Sequence, residues 1–211
     1  MKFVNKLFLK YYIKLHNFSY RKISLYAGKL NKNIHPKHEI MKYYQFFLDN
    51  IDEDSKILDI GCGNGYLTKK LAQKARKVIG IDIDKKNIDF AKKYYNNENI
   101  LYINCEVSKY DFKEKFDYVI MSNVLEHIED RKKLLERVKN LCEKILIRVP
   151  MINRSWLPLY MKKLGLDYRL DDTHYIEYTL DTFTSEIESI GLRIISYEIK
   201  FGEIWAKISS S

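Results

Sequence analysis

A run of closely spaced glycines follows the first strongly apolar segment that reads as a strand. In ILDIGCGNG, Gly61, Gly63 and Gly65 occupy alternate positions after an apolar run that begins at Ile57. Glycine has no Cβ, so such a turn can adopt unusual dihedral angles and let a ligand lie against bare backbone. The next apolar run ends in GIDID, where the carboxylate of Asp82 can accept hydrogen bonds from both hydroxyl groups of a ribose. The two segments together predict a bound cofactor that contains a nucleoside.

The spacing of the glycines distinguishes this turn from two other nucleotide-binding motifs. A dinucleotide fingerprint requires G-x-G-x-x-G, and Tyr66 stands where its third glycine would be. No lysine follows at the position that a P-loop requires, which excludes that motif. Two alternatives remain open, namely a glycine turn that holds no ligand and a nicotinamide-dependent enzyme.

Short apolar runs alternate with helical patterns beyond residue 54. The runs are KILDI, KVIGI, ILYIN, FDYVIM and KILIRV, and the helical patterns cover residues 65–74, 85–95 and 131–142. This alternation is typical of βαβ units, and strands that are apolar throughout are typical of a parallel sheet buried on both faces. An irregular aromatic segment follows at 150–178, and one helix and two strands complete the pattern at 180–190, 192–200 and 203–208.

The segments ILDIGCGNG and VIGIDID resemble the class I S-adenosylmethionine-dependent methyltransferases, and the resemblance extends over roughly residues 56–149. It implies a Rossmann-like, doubly wound α/β fold with a mostly parallel seven-stranded sheet and an antiparallel last strand. It also implies S-adenosylmethionine as cofactor and S-adenosylhomocysteine as product. The cofactor-binding residues implied in this way are Asp59, Gly61, Cys62, Gly63, Gly65, Asp82, Ile83, Glu106, Val107 and Asn123.

The resemblance assigns roles to several of these residues. The three glycines would pass under the methionine part of the cofactor, Asp59 would order that loop, and Asp82 would hold the ribose. Glu106 stands where the family usually has an aspartate that contacts the adenine amine. Ile83 would pack against the adenine face, or belong to the core.

The run NVLEHIED resembles the LEH signature of methyltransferases that act on small metabolites, including the ubiquinone-biosynthesis O-methyltransferases. This places His127 at the methyl end of the cofactor, where a histidine can act as a general base near neutral pH; the alternative is that it only orients its loop. Two nucleic-acid chemistries are disfavoured. Ser122-Asn123-Val124-Leu125 replaces the Asn/Asp-Pro-Pro-aromatic motif of amine methylation, and Pro150 is followed by Met151 rather than by a nucleophilic cysteine.

Some relatives, including small-RNA 2′-O-methyltransferases, bind a divalent metal through a Glu-x-x-Glu-His run and a distant histidine. In this chain the first acidic position is Asn123, followed by Glu126 and His127, with His174 downstream. Because Asn123 departs from the motif, we predict no metal ligands.

The segment 150–178 is expected to cover the acceptor site, as insertions at this place do in the family. The side chains predicted to contact the acceptor are Trp156, Tyr160, Asp172, His174 and Tyr175. The alternative is a packed surface loop.

The net charge of +9 is concentrated near the start of the sequence. Residues 1–50 contain ten Lys or Arg and two Asp or Glu, and they show helical patterns at 3–18 and 36–48. We predict a basic helical N-terminal extension, or lid, at 1–50 and a methyltransferase domain at 51–211. The lysines can form a solvated face, adsorb to an anionic membrane surface, or neutralise nucleic-acid phosphates.

Three dispersed cysteines without a CxxC pair indicate neither zinc nor a disulfide framework, and they favour a reducing, cytoplasmic setting, with membrane-peripheral contact as an option. The sequence thus predicts methyl transfer to a small-molecule or lipid- or glycan-linked acceptor, at oxygen. The alternatives are an RNA methyltransferase that uses the basic arm and a non-catalytic S-adenosylmethionine-binding regulator.

Overall fold

The computed structural model describes residues 2–31 and 35–210, and the chain divides into two compact units between Tyr43 and Tyr44. The first unit contains α1 (Lys2–Leu30) and α2 (Lys37–Met41), and α3 (Tyr43–Asp49) begins at its end. Helix α1 extends well beyond the predicted end at residue 18. The single helix predicted over 36–48 is wrong, because Lys42 adopts a left-handed conformation with φ of 45° and separates α2 from α3.

The second unit is built around a seven-stranded sheet. Its elements are, in chain order, β1 (Lys56–Ile60), α4 (Tyr66–Leu71), β2 (Lys77–Asp82), α5 (Lys85–Tyr94), β3 (Ile100–Asn104), β4 (Phe116–Ser122), α6 (Arg131–Lys139), β5 (Cys142–Pro150), α7 (Trp156–Lys163), α8 (Leu180–Glu188), β6 (Arg193–Lys200) and β7 (Glu203–Ser209). The strands lie in the order β3-β2-β1-β4-β5-β7-β6. All neighbours from β3 to β5 pair in parallel, and β7 is antiparallel to both β5 and β6. The predicted doubly wound sheet with an antiparallel last strand is confirmed.

Side chains of the central strands are buried on both faces of the sheet, as their apolar runs predict. Successive residues of β1, β4 and β5 are almost all buried, and Tyr118, Tyr178 and Phe183 are among the largest side chains with no appreciable exposure. The segment 150–178 is more regular than predicted. It contains α7 and a 3₁₀ turn at Ile152–Arg154.

The order of the strands reverses between β1 and β4. From β1 the chain moves outward through β2 to β3, and it then returns to β4 on the other side of β1. In open α/β sheets, ligands bind in the crevice at the carboxyl ends of the strands at such a switch point. The glycine turn follows β1 and the segment with His127 follows β4, so both predicted halves of the site lie at this crevice.

Candidate active site

The three glycines after β1 all have positive φ, but their surroundings differ. The φ angles are 66° at Gly61, 54° at Gly63 and 82° at Gly65. A Cβ on Gly61 would lie 2.5 Å from Cγ2 of Val124, whereas a Cβ on Gly63 would meet no atom within 4 Å. Gly61 is therefore required by a close approach between the turns that follow β1 and β4. Gly63 faces open space, where a ligand can lie against the backbone.

Gly65 and Gly80 are also close-contact glycines. A Cβ on Gly65 would lie 2.7 Å from the hydroxyl oxygen of Tyr102, and a Cβ on Gly80 would lie 3.1 Å from Sγ of Cys62. The buried Cys62 side chain thus packs against β2, and any contact of Cys62 with a cofactor involves its backbone. Gly80 and Tyr102 were missed in the sequence, although a glycine inside a buried strand is a signal of close approach.

Asp82 is held beside the open glycine. Its Oδ2 accepts a hydrogen bond from the amide of Gly63 at 2.8 Å, and its Oδ1 accepts one from the amide of Asp84 at 2.8 Å. The side-chain amide of Asn104 donates to the carbonyl oxygens of Asp82 at 3.0 Å and Ile83 at 2.9 Å, which joins the ends of β2 and β3. Ile83 is 71% exposed. The base of a nucleoside could therefore pack against Ile83 while the ribose of the same nucleoside contacts Asp82.

Asp59, the last but one residue of β1, is a buried carboxyl group below the turn. It accepts a hydrogen bond of 2.6 Å from the hydroxyl of Thr68 in α4. Burial raises the pKa of Asp59 to about 7, and the nearby Asp82 adds to the rise while the Thr68 hydrogen bond opposes it. Two carboxyl groups close to each other below bare backbone favour a cationic ligand, because a positive charge stabilises their ionised forms.

The segment after β3 lies next to this edge. The amide of Cys105 donates to the carbonyl oxygen of Asp82 at 3.1 Å, which brings Glu106 and Val107 beside the end of β2. The carboxylate of Glu106 already forms an ion pair of 2.5 Å with Lys109, and this hydrogen-bonded pair lowers the pKa of Glu106. The carbonyl oxygen of Val107 accepts a hydrogen bond from Arg137. A contact of Glu106 with an adenine amine would therefore compete with Lys109.

The turn after β4 places a carboxyl group in the interior. Asn123 has φ of 56°, and its amide donates to the carbonyl oxygen of Arg148 at 2.8 Å. Leu125–His127 form a 3₁₀ turn, and the side chain of Glu126 has no exposed surface. Neither carboxylate oxygen of Glu126 accepts a hydrogen bond from the described residues, and the same holds for Oδ1 of Asn123. Burial raises the pKa of Glu126 to about 7.

Two histidines lie together beside Glu126. The ring centroids of His127 and His174 are 4.6 Å apart with an interplanar angle of 76°. Nδ1 of His127 lies 2.8 Å from the hydroxyl oxygen of Thr173, and Nδ1 of His174 lies 3.2 Å from Oε1 of Glu177. Burial and the neighbouring His174 lower the pKa of His127, so its imidazole is neutral near pH 7. A neutral imidazole can accept a proton, as a general base must.

The remaining residues predicted to contact the acceptor do not form one group. His174 is buried beside His127, and the amide of Tyr175 donates to the carbonyl oxygen of Glu126 at 2.8 Å. The Asp172 side chain is exposed. Trp156 and Tyr160 lie 6.0 Å apart, centroid to centroid, and are exposed on α7. Within the described residues, no hydrogen bond or ring contact joins these two aromatic residues to either histidine.

A separate cleft of about 950 Å³ lies at the opposite, amino-terminal edge of the sheet. One group of its polar side chains is paired within the cleft, since Tyr118 donates to Asp52 at 2.6 Å and Lys144 lies 3.4 Å from the same carboxylate. No residue predicted to bind the cofactor or the acceptor lines it. The carboxyl edge is therefore the better candidate for the active site.

The strand order, together with a glycine turn after β1 and an acid at the end of β2, defines the class I S-adenosylmethionine-dependent methyltransferases. Comparison with known proteins agrees, because a family model described as "Methyltransferase domain" matches residues 31–197, and the chain belongs to this family. Its cofactor is S-adenosylmethionine.

One similar curated protein is the ubiquinone biosynthesis O-methyltransferase of Rhodopseudomonas palustris (strain TIE-1). It is 33% identical over 119 residues, which cover 55% of this chain and 47% of the relative. The chain thus spans about half the length of the curated relatives it matches.

Two solved structures with bound S-adenosylhomocysteine share the fold. The N-methyltransferase NodS of Bradyrhizobium japonicum WM9 gives a TM-score of 0.61 at 16% identity, with 81% of this chain and 86% of that chain covered. The magnesium protoporphyrin IX methyltransferase of Synechocystis PCC 6803 gives 0.63 at 18% identity, with 83% of each chain covered.

Proposed function

We propose that the protein transfers a methyl group from S-adenosylmethionine to a hydroxyl oxygen of a small-molecule, lipid-linked or glycan-linked acceptor. The observation that carries the proposal is the contact between Gly61 and Val124, which brings the cofactor turn against the turn that leads to His127. The names of the curated relatives support oxygen as the acceptor atom. The fold is neutral on this point, because its neighbours include an N-methyltransferase.

The cofactor residues keep the roles given to them by the family resemblance. The open face of Gly63 would receive the methionine part, Asp82 would hold the ribose hydroxyls, and Ile83 would pack against the adenine. Glu106, Val107 and the backbone of Cys62 would border the adenine and the methionine, and Asn123 would border the methyl end. Asp59 would order the loop, and we add a second role for it, in which its carboxylate stabilises the positive charge of the cofactor from below the turn.

The reaction is an in-line displacement. The cofactor, held by Gly63, Asp82 and Ile83, would supply an activated methyl group. As the acceptor oxygen bonds to the methyl carbon, the bond from that carbon to sulfur would break and sulfur would keep its electron pair, which leaves S-adenosylhomocysteine. The hydroxyl proton passes to the ring nitrogen Nε2 of His127. Positioning of the two reactants supplies an effective molarity of roughly 10⁵ M or more, and a general base adds about 10²–10⁴-fold.

The acceptor would enter beside the two histidines. His174 and Tyr175 border this place through their contacts with His127 and Glu126. Asp172, Trp156 and Tyr160 are exposed on the same insertion, and they would contact a larger acceptor at the outer rim.

Helix α1 supports a second part of the proposal, which is peripheral contact with an anionic membrane surface. The helix has 29 residues without an acidic side chain, and four of its lysines lie within the first half. Large apolar side chains are exposed along it, namely Val4, Leu7, Phe8, Tyr11, Tyr12, Leu15, Phe18, Tyr20, Ile23, Leu25, Tyr26 and Leu30. Basic residues interspersed with exposed aromatic residues are suited to an anionic lipid interface. Among the described residues, no helix is both long and apolar enough to cross a bilayer.

The test is incubation of the full chain with cofactor labelled in the methyl group and with fractionated cell extract, followed by mass spectrometry of the labelled product. A methyl ether in the metabolite or lipid fraction is the expected result. His127→Ala should lower kcat by about 10²–10⁴-fold and leave the affinity for S-adenosylhomocysteine unchanged. Label in RNA would replace the proposal with the RNA alternative. Tight cofactor binding without transfer in any fraction would indicate a regulatory protein.

A further inference from the structure

Three side chains of the types that bind metal ions, one glutamate and two histidines, lie close together at the turn after β4. One ligand atom each from Glu126, His127 and His174 lies within 4.8 Å of the other two. Glu126 and His127 come from the 3₁₀ turn that follows β4, whereas His174 comes from the segment before α8. The amide of Tyr175 donates to the carbonyl oxygen of Glu126 and joins the two segments.

The carboxyl group of Glu126 lacks what a buried carboxylate requires. Its side chain is fully buried, and neither oxygen accepts a hydrogen bond from the described residues. The neighbouring Oδ1 of Asn123 is also buried and without a hydrogen bond. A buried charge is costly unless it is paired or coordinates a metal. Three acceptor oxygens in one buried place, with no donor in hydrogen-bond geometry among the described residues, point to a cation there.

The hydrogen bonds of the two histidines set which ring nitrogen can bind a ligand. The hydroxyl of Thr173 donates to Asp171 at 2.7 Å, so Nδ1 of His127 must donate to Thr173. Glu177 can only accept, so Nδ1 of His174 donates to its carboxylate. Each ring is left with its lone pair on Nε2. Metal-binding histidines carry this outer shell, in which the second nitrogen donates to a carboxylate or another oxygen acceptor.

We propose that Glu126, His127 and His174 bind one divalent transition-metal ion. The sequence predicts no metal, because Asn123 replaces the first acid of the Glu-x-x-Glu-His run. That replacement removes one carboxylate ligand and leaves the other side chains of the site in place. One carboxylate and two imidazoles remain, with the neutral amide oxygen of Asn123 nearby. Such a nitrogen-rich set suits Zn²⁺ or Co²⁺ better than Mg²⁺, which prefers oxygen ligands.

Three protein ligands leave coordination positions open for an acceptor. An acceptor hydroxyl bound to the ion would lose its proton more easily, as metal-bound water does. The proton would then leave to solvent, and this route would replace the general-base step given above for His127, because the lone pair on its Nε2 would be bound to the metal. This role rests on the proposed function, whereas metal binding itself does not.

The test is titration of the full chain, first freed of metal with a chelator, with Co²⁺ alone. Calorimetry should show one equivalent bound, and visible absorption should show d–d bands of a site with nitrogen ligands. His174→Gln should lose the bands. His16→Gln, which removes an exposed histidine of α1, should keep them, and it serves as the matched control. Thr173→Val should weaken binding about 10-fold or more, because it removes the acceptor that orients His127.

Binding of S-adenosylhomocysteine, measured on every variant, separates this proposal from the function. If the wild-type chain binds S-adenosylhomocysteine but no Co²⁺, the metal site does not exist and the proposed methyl transfer stands. Equal Co²⁺ binding by the wild-type chain and by His174→Gln would also overturn the site. If His174→Gln fails to fold, the result for Thr173→Val decides, because Thr173 is exposed.

Discussion

At the scale of single residues, Gly61 and Gly63 have similar left-handed backbones and different neighbours. At either position, a residue with a side chain would destabilise the fold by about 1–2 kcal/mol, because φ is positive there. Only Gly61 is crowded, since its Cβ would lie 2.5 Å from Val124. The pair therefore separates the cost of backbone strain from the cost of a steric clash.

We expect Gly61→Ala to lower the free energy of unfolding by about 1–3 kcal/mol more than Gly63→Ala does, because overpacking adds to the strain. Gly63→Ala should instead weaken cofactor binding, since the new methyl group occupies the open surface. Urea unfolding and calorimetry with S-adenosylhomocysteine measure the two effects. Equal losses of stability in both variants would mean that Val124 moves aside without cost.

Asp59 is, with Glu126, one of the residues at which pH should affect stability. Its pKa is about 7 in the fold, against about 3.9 in an unfolded chain. Between these values the folded state binds more protons than the unfolded state, so this group makes the protein less stable as pH rises from about 4 to 7. Well above pH 7 Asp59 is ionised in both states, and its titration lowers the free energy of unfolding no further.

Asp59→Asn removes the titration and keeps an oxygen for the hydroxyl of Thr68. We expect the variant to gain stability relative to the wild-type chain between pH 5 and pH 8, with a slope of at most about 1.4 kcal/mol per pH unit. Urea unfolding of the cofactor-free proteins at several pH values measures it. A difference that does not vary with pH would show that Asp59 is ionised throughout.

The sequence predicted the site residues that carry a recognisable motif and missed those that depend on pairing. Asp59, Asp82 and the glycines stand out by type and spacing. Thr68 and Gly80 matter only because the fold brings α4 under β1 and packs Cys62 against β2. Such partners cannot be read from local sequence. His127 and His174 were both named from the sequence, and only their contact across 47 positions required the fold.

At the scale of elements, the alternating part of the chain was predicted best. The strands β1 to β4 agree with their apolar runs to within a residue, because a strand buried on both faces leaves an uninterrupted apolar segment. The wrong predictions of helices lie where a single residue or a tertiary contact determines the secondary structure. Lys42 breaks a helix by its left-handed φ, and α7 forms in an aromatic segment where Pro158 occupies the first helical turn.

Helix α8 begins with a reciprocal cap that a substitution can test. Oγ1 of Thr179 accepts from the amide of Thr182 at 3.2 Å, and Oγ1 of Thr182 accepts from the amide of Thr179 at 2.9 Å. We expect Thr179→Ala to reduce stability by about 1 kcal/mol. Thr184→Ala, in the middle of the same helix, is the control and should have a smaller effect. Chemical denaturation compares them, and similar losses would argue against the cap.

Helix α1 gives a prediction for the membrane proposal. Reversing two of its exposed charges, in Lys10→Glu with Lys14→Glu, should lower the affinity for anionic vesicles by about 30-fold or more, at ~1 kcal/mol per basic residue lost. Lys132→Glu, on α6 of the second unit, is the matched surface control. Vesicle co-sedimentation at low and high salt measures the effect. Binding that is insensitive to these charges and to salt would remove the proposal.

At the scale of the whole molecule, charge and chemistry are separated along the chain. The net charge is +9, and residues 1–50 account for nearly all of it, while the unit with the sheet is almost neutral. A cationic cofactor would therefore be selected by Asp59 and Asp82 near the glycine turn, and not by an overall negative charge of this unit.

The close approach of Gly61 to Val124 has one further consequence. Two segments that touch without room for a methyl group cannot shift independently, so whatever orders the turn after β1 also orders the turn after β4. Occupancy of one half should then raise the affinity of the other. Thermodynamic reciprocity requires that the cofactor raises the affinity for the acceptor by the same factor as the acceptor raises the affinity for the cofactor. The order in which the two substrates are added therefore does not change the stability of the ternary complex.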